Sequence, residues 1–157
     1  MSAHVQLRDV EASDLAFFFE HQRDPVAVAM VMFRSRDEAE FAEHWAKLLA
    51  DETKLKKTIV VDGAVAGNIG SWTAEGQREI GYWIDRAFWS RGVGTAALSA
   101  FLQLEPTRPL HAGVAKHNAA SIRILQKCGF TSTGADDTHI LLTLTAKQSD
   151  LPHRAGS

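Results

Sequence analysis

The turn Arg91-Gly92-Val93-Gly94-Thr95 carries the clearest chemical signal in the chain. Two glycines stand at its centre, and Val93, Ala96, Ala97, Ala100, Phe101 and Leu104 then recur at helical spacing. A glycine-flanked turn that opens a helix aims several backbone N–H groups at one place. The helix dipole adds partial positive charge there, so the turn suits an anion, above all the phosphate of a nucleotide-bearing cofactor. Gly92-Val93-Gly94-Thr95-Ala96-Ala97 fits the loose dinucleotide pattern G-x-G-x-x-A, but a Rossmann site needs the glycines directly after a strand and an acid about 20 residues on. A longer loop intervenes here and the following strand, Leu110–Ala115, has no acid. A P-loop is excluded because no Gly-Lys-Ser/Thr follows. His111, His117, Asp136, Asp137 and His139 show no metal-ligand spacing, so no metal is expected.

The elements that must hold this turn follow from periodicity. Ile80, Tyr82 and Ile84 share one face of a strand, Glu79–Ile84, just before the turn. Ahead of it the sequence predicts a strand over Val5–Val10 and a helix capped by Ser13 or Asp14 that ends near Asp24-Pro25. A second helix, Ser35–Asp51, would open with a Ser35/Glu38 capping box. Lys54–Lys57 reads as a charged turn, and Thr58–Val61, Ala64–Trp72 and Glu79–Ile84 as an antiparallel meander turning at Asp62-Gly63 and Glu75-Gly76-Gln77. Downstream come a strand at Leu110–Ala115, a helix at Ala119–Cys128 capped by Asn118 and closed by Gly129, a further strand at Phe130–Thr133, and a strand at Thr138–Thr145. Phe17, Phe18 and Phe19 exceed one helix stripe, so the first helix is either buried on two sides or an aromatic wall of a pocket. That order implies an α/β fold: a mixed sheet with helices on both faces.

Composition narrows the function classes. The 157 residues suffice for one domain, taken as 1–148 with a disordered tail at 149–157. A net charge of −2 provides no basic field, so nucleic acid is not an expected partner. Cys128 is the sole cysteine, read as a core thiol; with no signal peptide or apolar span in view, the expectation is a cytoplasmic protein with no membrane partner.

The GYWI strand at Gly81–Ile84, the Trp89–Thr95 turn, the N-x-x-S at Asn118–Ser121 and the K-x-G-F at Lys127–Phe130 occur in one order and spacing. Together they resemble the GNAT superfamily of N-acetyltransferases, and within it the branch of ribosomal-protein alanine N-acetyltransferases. The resemblance covers roughly Glu79–Phe130 closely and the first half only in element order. It implies a mostly antiparallel sheet with a splayed strand pair. It further implies acetyl-CoA as cosubstrate, a primary amine acceptor (a peptide N-terminus or small molecule), a monomer or homodimer, and direct attack in a ternary complex. Arg91, Gly92, Val93, Gly94 and Thr95 would hold the pyrophosphate, backbone groups of Trp83 and Ile84 the pantetheine arm, and Asn118 would touch the cofactor or simply cap its helix.

For catalysis the resemblance points to Ser121 as the group that protonates the departing thiolate. Many members place a tyrosine seven residues after the asparagine, but here that position is Leu125, so Ser121 or water must substitute. Trp89 likewise stands where glutamine or arginine is usual. An amine must lose a proton before or during attack, and Glu79, on the face shared with Gly81 and Trp83, is the candidate base. The rival reading is a GNAT-fold module that binds acyl-CoA as a sensor or subunit without turnover. Phe19, Met32, Phe33 and Arg34 are candidate walls of the acceptor side.

Overall fold

Alternating apolar residues in the first half of the chain build a meander, and the second half extends it by one parallel step. The computed structural model describes residues 4–31 and 35–145. Among these residues, seven strands form one sheet: β1 (Val5–Asp9), β2 (Leu55–Val61), β3 (Ala64–Ala74), β4 (Gln77–Ile84), β5 (Leu110–Ala115), β6 (Thr131–Ala135) and β7 (His139–Leu144). Their order is β1-β2-β3-β4-β5-β7-β6. All neighbours are antiparallel except β4 and β5. The meander turns at Asp62-Gly63 and Glu75-Gly76, where all four residues have positive φ, as two-residue hairpin turns of the right twist require.

Helices α4 (Val93–Leu102) and α5 (Ala119–Lys127) share the main core. There Val93, Ala97, Leu98, Phe101 and Leu125 pack with inward residues of the strands, among them Ile59, Ile80, Leu110, Val114 and Leu142. A second cluster lies around α1 (Asp14–His21) and α3 (Glu38–Ala50), where Phe18, Phe41 and Trp45 close over Val65 of β3. A short α2 (Pro25–Val31) follows α1. This is the mixed α/β sheet with helices that the element order implies.

Several local expectations change. The capping box belongs to Asp37 and Glu40, whose side chains and backbone N–H groups exchange bonds of 2.8 and 3.1 Å. Ser35 instead donates to the Gln22 carbonyl. Ser13 makes no side-chain cap; its neighbour Asp14 turns inward to accept from both Arg8 terminal nitrogens, the Thr58 hydroxyl and the Glu11 N–H. Lys54–Lys57 is largely strand, since Leu55, Lys56 and Lys57 pair with β3. Asp24-Pro25 ends one helix and starts another: the Asp24 carboxylate accepts from Val26 N–H and proline takes the first helical position, where its missing N–H costs nothing. Of the phenylalanines, Phe18 is buried, Phe19 packs edge-on against Phe41, and Phe17 is 52% exposed, so the helix is buried on one side only. Met32, Phe33, Arg34 and the tail 149–157 lie outside the described residues.

Candidate active site

The parallel pair β4–β5 holds together only at its start. Arg78 faces Leu110 and Glu79 faces His111, after which the two strands share no further register. Five residues of β4 (Ile80–Ile84) therefore run on without a strand partner on that side among the described residues. Unpaired strand edges inside a protein invite an extended ligand that supplies the missing hydrogen bonds. A cavity of about 130 Å³ occupies the parting, lined by Gly81, Tyr82, Gly113, Val114, Ser121 and His139 among others. A larger groove of about 290 Å³ runs beside it, between β4, α2, α5 and the turn before α4.

The groove ends at the glycine turn. Gly92 has φ +75°, a left-handed conformation that glycine adopts without strain, and no atom lies within 4 Å of where its Cβ would be. The first intrahelical bond of α4 is Ala96 N–H to the Gly92 carbonyl, so Val93, Gly94 and Thr95 point N–H groups outward with no backbone partner among the described residues. Gly92, Val93, Gly94 and Thr95 all line the groove. Gly94 serves a different purpose from Gly92: a Cβ there would collide with Ile124 of α5 and press on Ile84, so this glycine lets α4 pack against α5. Arg91 is not among the residues lining the groove; its guanidinium lies 5.2 Å over the ring of Phe88, which does line it, and 4.0 Å from the Asp62 carboxylate. Arg123 and Lys127, one turn apart on α5, line the groove instead.

On β4 the backbone alternates. A Cβ on Gly67 would collide with the Trp83 carbonyl oxygen, and Asp85 N–H bonds the Ala66 carbonyl, so Trp83 turns its backbone toward β3. The alternate residues, Tyr82 and Ile84, turn theirs toward the parting. The Ile84 carbonyl is already taken by the Trp89 indole N–H at 2.8 Å. The backbone groups of β4 that face the parting unpaired are thus those of Tyr82 and the Ile84 N–H, while Trp83 lines the groove.

Asn118 caps α5, its Oδ1 accepting the Ser121 N–H at 3.2 Å. Ser121 Oγ lies 2.6 Å from the Tyr82 hydroxyl. Val31, Tyr82, Asn118 and Ser121 line both the groove and the parting, so they mark where the two meet. Burial pushes the Tyr82 phenol up to about 12, against the opposing pull of its bond to Ser121. Glu79 sits at the last position of β4 paired with β5, half-buried beside His111, on the face opposite Tyr82; it lines neither cavity. Cys128 is buried and its thiol is pushed up by desolvation, as fits an inert core residue.

A model of the acetyltransferase (GNAT) domain matches residues 4–131. The chain belongs to the GNAT acetyltransferase family. It is thus an acetyl-CoA-dependent N-acetyltransferase, with acetyl-CoA as cosubstrate and an amine as acceptor. Solved structures share the fold. An aminoglycoside acetyltransferase AAC(6')-Ib in complex with coenzyme A is 22% identical over 90% of this chain and 95% of its own, with a TM-score of 0.77. A spermidine N-acetyltransferase from Vibrio cholerae in complex with CoA and spermine is 15% identical over 92% and 96%, also at 0.77. A domain from Methanocaldococcus jannaschii is 16% identical over 92% and 100%, at 0.75. A search of curated proteins by sequence found no match. Among the described residues of this acetyltransferase, no helix is long and apolar enough to cross a membrane.

The residues present fit the cosubstrate. Outward N–H groups on α4 suit a pyrophosphate, and the parting offers backbone groups to the amides of a pantetheine arm. Two features escaped the sequence. α2 supplies Ala27, Met30 and Val31 to the groove, signalled only by the Asp-Pro pair that reads equally as a helix stop. Tyr82 reaches Ser121 across 39 residues of sequence, for which the one available signal was its place in the GYWI strand.

Proposed function

We propose that this acetyltransferase moves the acetyl group to a primary amine by direct attack within a ternary complex, the acceptor being a peptide N-terminus or a small-molecule amine. The observation that carries the reading is the loss of β4–β5 pairing beyond Glu79–His111, beside a groove that ends at unpaired N–H groups. Gly92–Thr95 take the pyrophosphate, aided by Arg123 and Lys127, whose flexible cationic ends suit phosphate at a solvent-open rim. The backbone of Tyr82 and the Ile84 N–H pair with the arm, leaving the thioester where groove and parting meet. Asn118 stands there both as cap and as contact.

Ser121 serves the leaving side. The amine nitrogen bonds to the acetyl carbon, the C–S bond breaks, and the sulfur leaves as a thiolate that accepts a hydrogen bond from the Ser121 hydroxyl; the proton lost by nitrogen passes through water to Glu79, and the thiolate takes its proton from solvent. An ordinary thiol has a pKa near 8.5, so stabilising the thiolate by hydrogen bonding suffices and a strong acid is not required. Glu79 serves the amine side, on the opposite face of the strand, accepting the ammonium proton through water. The amines named for the solved relatives, aminoglycosides and spermine, make small-molecule acceptors one arm of the test. The resemblance of the second half to ribosomal-protein alanine N-acetyltransferases makes peptides the other.

The test is incubation with acetyl-CoA and a panel of peptides differing at their first residue, polyamines and aminoglycosides, with free thiol release and product mass as readouts. Amine-dependent thiol release with a 42 Da gain (about the mass of an acetyl group replacing hydrogen) is the expected result. CoA binding by calorimetry without turnover of any amine would instead support the sensor reading.

A further inference from the structure

We propose that Tyr82 is a positioning residue that aims the Ser121 hydroxyl at the thioester sulfur, doing from β4 what Leu125 cannot do from α5. The proposal rests on the reading of the groove as the seat of acetyl-CoA. Leu125 is fully buried in the core, with no polar atom to offer. Tyr82 comes to the same place from the neighbouring element: its hydroxyl is 2.6 Å from Ser121 Oγ, and both residues line the groove and the parting alike.

A count of donors shows what the pair can do. Two hydroxyls carry two O–H groups but share one hydrogen bond. Among the described residues, the one other acceptor within reach of either hydroxyl is the Ser121 carbonyl, 3.5 Å from the phenol oxygen and at the outer limit of a hydrogen bond. One O–H is therefore left to point into the space between the strands. The phenol is the stronger donor of the two and, pushed up to about 12, stays protonated at neutral pH. Either hydroxyl can donate by geometry; with the more acidic phenol donating to Ser121 Oγ, the serine proton is the free one. The Ser121 N–H is already tied to Asn118, so helix cap and phenol together fix the serine from two sides.

The consequence is chemical. As the C–S bond breaks, negative charge collects on sulfur, and a preorganised O–H at that point stabilises it without reorientation. Accepting from Tyr82 makes the serine O–H a better donor, because hydrogen bonds in a chain polarise one another. No proton leaves Tyr82, and the balance of the transfer is unchanged.

Two measurements test this on the full chain, with Tyr82→Phe, Ser121→Ala and the double variant. Phenylalanine keeps the ring that packs against the main core, so the fold is preserved. The first is a spectroscopic titration of the CoA thiol in the complex. The expected result is that either single substitution raises its pKa relative to wild type by about half a unit or more, a roughly threefold change in ionisation constant. The second is steady-state kinetics. Each single substitution lowers kcat by about 10- to 100-fold with CoA affinity within about twofold of wild type, and the double variant loses little more than the worse single one. The proposal is overturned if Tyr82→Phe leaves the thiol titration unmoved, or if the two losses multiply. A wild type that binds CoA but acetylates no amine refutes the proposed function instead, and the thiol titration still decides the role of Tyr82.

Discussion

Asn118 is asked to do two things, and two substitutions separate them. Its Oδ1 accepts the Ser121 N–H at 3.2 Å, which satisfies one of the orphan donors at the start of α5. Asn118→Ala removes that bond, at a cost of about 1 kcal/mol, which in a chain of this size lowers Tm by about 2–4 °C. Asn118→Asp keeps an oxygen at the same place and adds negative charge at a helix N-terminus, where it is favourable, so stability should stay within about 0.5 kcal/mol of wild type. The same carboxylate lines the groove, however, and faces a polyanion. The diphosphate sits an extended pantetheine arm away, on the order of 15 Å, so at an effective dielectric of about 40 to 80 the added charge is repelled by about 0.3–0.5 kcal/mol per phosphate charge, roughly twofold in Kd. Urea unfolding and calorimetric titration with CoA at low and high salt read the two effects independently. Equal destabilisation by alanine and aspartate would refute the cap. Wild-type CoA affinity in Asn118→Asp at low salt would refute the contact.

Acid should loosen the fold through carboxylates held well below their ordinary range. Asp14, bonded first by Arg8 and then by Glu11 N–H and Thr58 and almost fully buried, is held at about 2, against an ordinary 3.8. A depressed carboxyl contributes stability above its unfolded value and loses it as pH falls toward its folded one, here on the order of 2 kcal/mol lost between pH about 4 and 2. Glu105, where burial opposes but bonds from Ser71, Arg78 and Thr107 prevail, is also held at about 2 and adds to the same slope. Denaturant unfolding from pH 7 to 2 should show this fall, and Asp14→Asn should flatten it while lowering stability at pH 7; an unchanged slope would sink the assignment. On the amine side, Glu79→Gln should lower kcat by about 10²-fold without altering CoA affinity, with the deficit shrinking as pH rises and the free amine becomes abundant. A pH-independent deficit would assign Glu79 a structural role.

Much of the framework was legible in one dimension because its causes are local. The phosphate turn is a matter of two glycines and the helical spacing after them, the cap of α5 of one asparagine, and β5 of six alternating residues whose bounds the structure reproduces as Leu110–Ala115. Even the misplaced capping box failed locally, since Asp37 and Glu40 satisfy the same spacing as Ser35 and Glu38. The Asp24-Pro25 pair was ambiguous because proline that ends one helix is also well placed to begin the next.

What only the tertiary structure decided is which of these parts meet. The parting of β4 from β5 depends on strand order and register, which no periodicity encodes: both strands alternate normally through the point where pairing stops. Which way Trp83 and Ile84 turn their backbones was settled by β3, through Gly67 and Ala66, and the Ile84 carbonyl was claimed by an indole five residues on. The meeting of Tyr82 with Ser121 needs a strand and a helix from distant parts of the chain to pack on one core. Residue types and short spacings fix what a segment can offer, while packing chooses the neighbour to which it is offered.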